Sequence, residues 1–125
     1  MEFLNKFRNW KEIEEHAAGS VIYPEGNPAE FLYVIVSGEV ELSLGGELLE
    51  VEKLGGIIGE MALFDSAERS ATAKALTDVK LARLDRDQLT AMMKENIEFS
   101  LQIMAVLANR LRAVNKYFSM RLGSA

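Results

Sequence analysis

The segment between residues 19 and 84 constrains the fold most, because short β-type stretches alternate there with turn residues. Phe31–Val36 is an uninterrupted apolar run, and Glu39–Leu44 alternates acidic or polar residues with valine and leucine. Gly45-Gly46 predicts a hairpin turn into the next stretch, Glu47–Glu52. Short strands joined by tight turns are typical of a barrel or a jelly roll.

The same alternation continues at both ends of this segment. The cluster from Pro24 to Pro28 predicts a turn, and residues Ser70–Ala75 and Val79–Leu84 predict two more strands. Before the strands, apolar residues at helical spacing predict an amphipathic helix packed on the barrel. They are Phe3, Leu4, Phe7, Trp10 and Ile13.

After residue 84 the period changes to that of a helix. Asp85 is a plausible N-cap for a helix to about Met93, and Glu95-Asn96 predicts a break. A second helix is expected from Ile97 to about Phe118. Within it, a heptad-like series indicates either packing against the barrel or a dimer seam, and its short length leaves both open. The series is Met104, Leu107, Leu111, Val114 and Phe118.

Composition excludes several classes of protein. A chain of 125 residues with 49% apolar residues predicts one domain with a real core. The chain has no cysteine, so it can form no disulfide and no thiolate, which fits a reducing cytoplasm. A cupin-type metal site needs several histidine ligands, and the single histidine, His16, argues against such an enzyme. The sequence has neither a secretory signal at its start nor an apolar run of about 18 residues, so no membrane association is expected.

The charge distribution is uneven along the chain. The net charge of −5 argues against broad nucleic-acid binding, but residues 110–125 contain four cations and no acid, which leaves −9 on residues 1–109. The cations are Arg110, Arg112, Lys116 and Arg121. They indicate either a basic surface for a partner or complementation of a helix dipole.

Residues Gly59–Thr72 read GEMALFDSAERSAT, a Gly-Glu pair followed nine residues later by Arg-Ser-Ala-Thr. This segment resembles the phosphate-binding cassette of cyclic nucleotide-binding domains. The chemistry is suitable, because a guanidinium matches a phosphodiester anion and a carboxylate accepts a hydrogen bond from a ribose hydroxyl. Residues Gly19–Leu42, Val79–Met93 and Ala105–Asn115 are similar to the family's opening strands, its closing strand with the following helix, and the long C-terminal helix of its catabolite activator branch.

The resemblance implies a mainly β fold, a double-stranded β-helix or jelly-roll barrel with an N-terminal helix and C-terminal helices. On this basis the chain is one domain, residues 1–125, with the barrel at about 17–84 and the C-terminal helices at about 85–120. The expected ligand is a cyclic nucleotide, with cyclic AMP preferred over cyclic GMP, and no other cofactor. The C-terminal helix is the expected moving element and the place where a homodimer or an effector protein would bind.

The family's ligand contacts map onto a short set of residues here. Arg69 and Ser70 would hold the phosphate, although an arginine in a loop is more often in a surface ion pair. Glu60 would hold the ribose 2′-OH, although an acidic residue at the start of a helix often only balances the helix dipole. Gly59 would permit close approach to the sugar, or serve only as a turn glycine. The remaining expected lining residues are Ile58, Met61, Ala62 and Ala71.

The sequence departs from the family at four positions. Gly56 stands where many members have aspartate, and Glu68 stands where kinase-type cassettes have proline. Val114 and Asn115 stand where the activator branch has a Thr-Ser pair that reaches the base. Asn115 can both donate and accept hydrogen bonds, whereas valine cannot, so the phosphate and ribose contacts look better retained than the base contact.

The functional hypothesis is therefore a binding module rather than an enzyme. No nucleophile–base set, P-loop or kinase motif occurs in the sequence. A helix-turn-helix would need two further helices after the last one, so no DNA binding by this chain alone is expected. A barrel that has lost its ligand and serves only dimerisation or protein contacts is the alternative, and a domain from a larger channel, kinase or regulator would show the same features.

Overall fold

The computed structural model describes residues 2–63 and 67–123, in which eight strands form two four-stranded antiparallel sheets. The strands are β1 (Ile13–His16), β2 (Val21–Tyr23), β3 (Leu32–Ser37), β4 (Val40–Leu44), β5 (Glu47–Glu52), β6 (Ile57–Ile58), β7 (Thr72–Ala75) and β8 (Val79–Leu84). The first sheet has the order β1-β8-β3-β6 and the second β2-β7-β4-β5. This sandwich of two sheets confirms the predicted jelly-roll class.

The apolar run in β3 follows from burial of both faces of its sheet. Tyr33 and Ile35 face a core cluster shared with β4 and β7, whereas Leu32 and Val34 face a second cluster formed with the helices. Successive side chains of a strand point to opposite faces, so a strand covered on both sides needs apolar residues at every position. Strand β4, by contrast, keeps the predicted alternation.

The predicted Gly45-Gly46 hairpin is also confirmed. Leu44 pairs with Glu47, and the two glycines between them have φ values of 57° and 83°. Both residues at the centre of a two-residue hairpin of this kind need positive φ, which glycine adopts without strain.

The predicted amphipathic helix, with Phe3 to Ile13 on one face, is wrong after Phe7. Residues Glu2–Phe7 form a 3-10 helix whose Phe3 and Phe7 are buried in the core, but the helix does not continue to Ile13. Ile13 instead begins β1 and pairs with Ala82 of β8. Because this segment can form backbone hydrogen bonds with the edge of the sheet, it forms a strand and not the helix that the spacing of its apolar residues indicates.

Two helices follow the sandwich, α1 (Arg86–Glu95) and α2 (Ile97–Gly123). The predicted N-cap is confirmed: Asp85 accepts a hydrogen bond from the Gln88 N–H at 2.8 Å, and the Gln88 side chain accepts one from the Asp85 N–H at 2.9 Å. Helix α2 extends five residues beyond its predicted end at Phe118. Neither helix has the length and apolarity that a membrane span requires.

Helix α2 has two different apolar faces. Phe99, Ile103 and Val106 are buried against the sandwich, at steps of four and three residues. A second set on α2 is between 51% and 76% exposed; we call it the exposed stripe, and it comprises Ile97, Leu101, Met104, Leu111, Phe118 and Leu122. Leu107, which the heptad series included, packs instead against the core cluster. The exposed stripe thus shares Met104, Leu111 and Phe118 with the heptad series predicted from sequence and extends to Leu101 and Leu122.

Candidate functional site

The turn predicted between Pro24 and Pro28 fixes the backbone of Arg69. The Arg69 N–H donates to the Asn27 carbonyl at 2.7 Å, and the Gly26 N–H donates to the Arg69 carbonyl at 2.9 Å. An isolated bridge between Pro28 and Glu68 extends this pairing. The arginine is therefore held between a paired turn and β7, rather than in a free loop.

The side chain of Arg69 points inward. The residue is only 5% exposed, and its Nη1 donates to the Gly59 carbonyl at 3.2 Å. Its Nε is buried and has no hydrogen-bond partner in the part of the chain that the structure describes. An unpaired buried donor of this kind is costly, and a bound anion would satisfy it. The interpretation of Arg69 as a surface ion pair is excluded by this burial.

Gly59 lies directly against this guanidinium. Its φ is +78°, and a Cβ at this position would lie 2.6 Å from Arg69 Nη1 and 2.9 Å from the Phe31 carbonyl oxygen. Both the conformation and the close approach require glycine. Gly59 is thus more than an ordinary turn residue, because its lack of a side chain makes room for the arginine.

Glu60 begins the 3-10 helix Glu60–Leu63 and is 5% exposed. It accepts a hydrogen bond from Nη1 of Arg110 at 2.7 Å. Arg110, on α2, also donates through Nε to Glu50 at 2.7 Å and through Nη2 to the Ile57 carbonyl at 3.2 Å. One guanidinium therefore joins α2 to the start of the cassette.

The charges in this cluster are unbalanced. Glu52 is a third carboxylate at 3.4 Å from Arg110 Nη2, so one cation faces three acids. Burial alone would lower the pKa of Arg110, but Glu60 and Glu50 raise it above its usual range, and the guanidinium stays charged. Burial raises the pKa of Glu52, which Arg110 only partly offsets.

Sequence reasoning missed the role of Arg110. We interpreted it as part of a basic tail or as a partner of the helix dipole, and both interpretations are wrong because it is 7% exposed and lies in the middle of α2. It continues the buried face of Phe99, Ile103 and Val106 by one further step of four residues. The sequence did contain an indication of the burial of Arg110, because this arginine has the helical spacing of the apolar residues on the buried face.

The other predicted site residues differ in their surroundings. Ile58, Ala62 and Ala71 are buried, Met61 is half-buried, and Ser70 is exposed. Their role as the wall of a ligand pocket remains a prediction. Residues 64–66 of the cassette segment lie outside the described residues.

Asn115 lies on α2, five residues after Arg110, and is exposed. Five residues correspond to a rotation of about 140° around a helix axis, so Asn115 and Arg110 project from different faces. Asn115 instead falls within the exposed stripe, between Leu111 and Phe118. Asn115 therefore does not share the face of α2 that carries Arg110, and its contact with the base remains a prediction.

Comparison with known proteins identifies this arrangement. The family model for the cyclic nucleotide-binding domain matches residues 13–96, which include every part of the cassette. The chain belongs to the cyclic nucleotide-binding domain family. The eight antiparallel strands are thus the jelly roll of this family, and the matched range includes residues 59–72.

Several relatives in the family are regulators. The chain is 35% identical over 102 residues to a CRP-like cAMP-activated global transcriptional regulator of Mycobacterium tuberculosis, covering 78% of this chain and 46% of the relative. It is 41% identical over 69 residues to a cGMP-dependent protein kinase of Caenorhabditis elegans, covering 55% of this chain and 9% of the kinase. The crystal structure of the Thermus thermophilus catabolite activator protein aligns with a TM-score of 0.72 at 27% identity, covering 95% of this chain and 57% of that one.

The chain spans about half the length of the transcriptional regulator that it matches, and a much smaller part of the kinase. The likeness therefore concerns one domain of each relative.

Proposed function

We propose that this domain is a cyclic nucleotide sensor that binds cyclic AMP in preference to cyclic GMP and signals through α2. The observation that carries the proposal is the buried guanidinium of Arg69, whose Nε has no partner within the described residues. A phosphodiester anion supplies acceptors of the right charge and geometry. Relatives whose names include cAMP and cGMP support the ligand class.

Within this proposal, each cassette residue has a separate part. Arg69 binds the phosphate, with Ser70 as an additional donor, and Gly59 leaves room for the sugar. Glu60 accepts a hydrogen bond from the 2′-OH. A carboxylate has about four acceptor sites, so Glu60 can keep its contact with Arg110 and still accept from a hydroxyl.

The shared carboxylate gives a route from ligand to helix. Arg110 holds α2 to Glu60 at 2.7 Å, and Glu60 is also the proposed ribose ligand. A nucleotide at Glu60 changes the environment of the Arg110 contact, and so it favours one position of α2 over another. Such differential contact is what a population shift requires.

The ribose contact can be tested by comparing cyclic AMP with its 2′-deoxy analogue. Loss of a hydrogen bond to a charged group costs about 1.5–3 kcal/mol, so we expect the analogue to bind about 10- to 100-fold more weakly. Calorimetric titration measures both affinities. In Glu60→Gln, checked for folding by thermal unfolding, the ratio should shrink; equal affinity of the wild type for both ligands would exclude the assigned role of Glu60.

The exposed stripe supports a homodimer as the partner of α2. Its spacing continues as a heptad in which Ala108 and Asn115 fill the remaining seam positions. An asparagine at such a position is a known means of fixing register and oligomeric state. In a dimer of this kind Asn115 would lie at the interface, where it could reach the base in the other subunit's site.

Leu111→Glu is expected to dissociate this dimer. A carboxylate in place of an apolar seam residue would be buried without a partner, which is strongly unfavourable. Analytical ultracentrifugation over a concentration series should show a dimer for the wild type and a monomer for the variant. Asn109→Glu adds the same charge at an exposed position outside the stripe and should remain dimeric; a monomeric wild type at all concentrations would refute the seam.

A ligand-free interaction module is the second candidate function. The observation that favours it is the same stripe, because its six exposed apolar side chains offer a surface that a protein partner could cover. The two candidates are separated by nucleotide titration, since only the sensor binds a ligand.

A further inference from the structure

Two stacked tyrosines lie under the guanidinium of Arg69. The Cζ atom of Arg69 is 4.2 Å from the centroid of the Tyr23 ring and 5.7 Å from that of Tyr33. The two rings are 6.4 Å apart with an interplanar angle of 17°. Both tyrosines are almost fully buried, 8% and 6% exposed, and both belong to the core between the sheets.

This aromatic pair takes the place that a carboxylate usually occupies beside a buried arginine. Among residues 2–63 and 67–123, no acid forms a salt bridge with Arg69. The face of an aromatic ring attracts a cation electrostatically and needs no N–H donor to do so. The donors of Arg69 other than Nη1 therefore remain for another acceptor.

A carboxylate partner would have the opposite effect. It would form a bidentate pair with the guanidinium and compete with a phosphate for the same donors. The Tyr23 ring instead contacts the guanidinium and carries no charge, so the net positive charge of Arg69 is not compensated. Burial and the charge of Glu60 raise the pKa of the Tyr23 hydroxyl, so the ring stays neutral at physiological pH.

Tyr33 is itself held in place. Its hydroxyl donates to Glu14 Oε2 at 3.4 Å, and the same carboxylate oxygen accepts from Arg83 Nη1 at 3.4 Å. The ring of Tyr33 thus supports that of Tyr23 from the first sheet, while Tyr23 comes from the second. The pair of tyrosine rings next to Arg69 therefore connects the two sheets.

We infer that Tyr23, supported by Tyr33, is the positioning residue for the phosphate-binding arginine: its ring orients Arg69 without using the donors that the phosphodiester needs. This inference rests on the proposed nucleotide binding. It adds a residue outside the cassette to the determinants of affinity, and it assigns the effect to the ring face and not to the hydroxyl.

The test compares aromatic with non-aromatic side chains at position 23. Calorimetric titration with cyclic AMP is expected to give Tyr23→Phe within about threefold of the wild type, because the ring is kept. Tyr23→Met, which keeps the bulk, and Tyr23→Leu are expected to bind about tenfold more weakly. Thermal unfolding of each variant shows whether it is folded, and Tyr23→Met serves if Tyr23→Leu is not.

A second measurement separates positioning of Arg69 from a general structural effect. In the phosphorothioate analogues of cyclic AMP, sulfur, a poorer acceptor, replaces one phosphate oxygen. The wild type and Tyr23→Phe should discriminate against these analogues, and Tyr23→Met should discriminate less, because its arginine is less well oriented. A purely structural role would lower all affinities equally.

The outcomes are distinct. Weaker binding together with reduced discrimination in Tyr23→Met, and rescue in Tyr23→Phe, would support the inference. Wild-type affinity in Tyr23→Met, or weaker binding with unchanged discrimination, would overturn it and leave the proposed function in place. Absence of nucleotide binding by the wild-type domain would overturn the proposed function and this inference with it.

Discussion

Arg69→Ala is expected to weaken binding of cyclic AMP by two to three orders of magnitude or more while the domain stays folded. Removing one partner of a buried charged pair costs about 3–5 kcal/mol, and each 1.4 kcal/mol corresponds to a factor of ten in affinity. The fold should tolerate the change, because no carboxylate in the described residues depends on this guanidinium and its Nε is unsatisfied. The variant is therefore expected to stay folded, with only a modest fall in melting temperature from the lost contacts with the Tyr23 ring and the Gly59 carbonyl.

Calorimetric titration and thermal unfolding measure the two effects separately. Arg8→Ala is the control, because Arg8 is an exposed arginine that lies outside the cassette. It should lose little affinity. Wild-type affinity in Arg69→Ala would show that the buried arginine has a structural role only.

Arg110→Ala should have the largest effect on stability. The substitution leaves Glu60, Glu50 and Glu52 close together without their shared cation, and it removes a contact that holds α2. Breaking a buried ion pair by removing one partner costs about 3–5 kcal/mol. That is a large part of the 5–15 kcal/mol by which a typical domain is stable, so urea unfolding should show a clear fall in midpoint.

Two further variants show whether the loss of stability in Arg110→Ala comes from the lost ion pairs. Arg110→Lys keeps the charge but not the planar fork of donors, so only part of the loss should be recovered. Arg112→Ala removes an exposed arginine two residues away and should change the free energy of unfolding by no more than about 0.5 kcal/mol. If Arg110→Ala were as stable as Arg112→Ala, the cluster would not hold α2 in place.

The elements whose formation is dictated locally were predictable from the sequence. Gly45-Gly46 can form a tight hairpin where other residues would be strained, and Asp85 with Gln88 forms a reciprocal cap. Arg69 and Glu60 were found because the spacing of the cassette is itself a local pattern. Both proved to be buried, and their contacts with a ligand remain a prediction.

The features that depend on distant parts of the chain were not predictable in the same way. Ile13 fits a helical series as well as a strand, and only its pairing with Ala82 decides between them. Arg110 meets Glu60 across 50 residues, and Tyr23 of β2 meets Arg69 because β2 pairs with β7, a strand distant in sequence. Local patterns carry no information about such contacts until the strand order is known.

The most direct test of the central claim is calorimetric titration of the wild-type domain with cyclic AMP and cyclic GMP. The account predicts saturable binding of cyclic AMP, tighter than that of cyclic GMP, and a domain stabilised against unfolding by about 2.7 kcal/mol at a ligand concentration 100 times the dissociation constant. No heat of binding and no stabilisation with either nucleotide would contradict it, and the domain would then be a family barrel used for protein contacts.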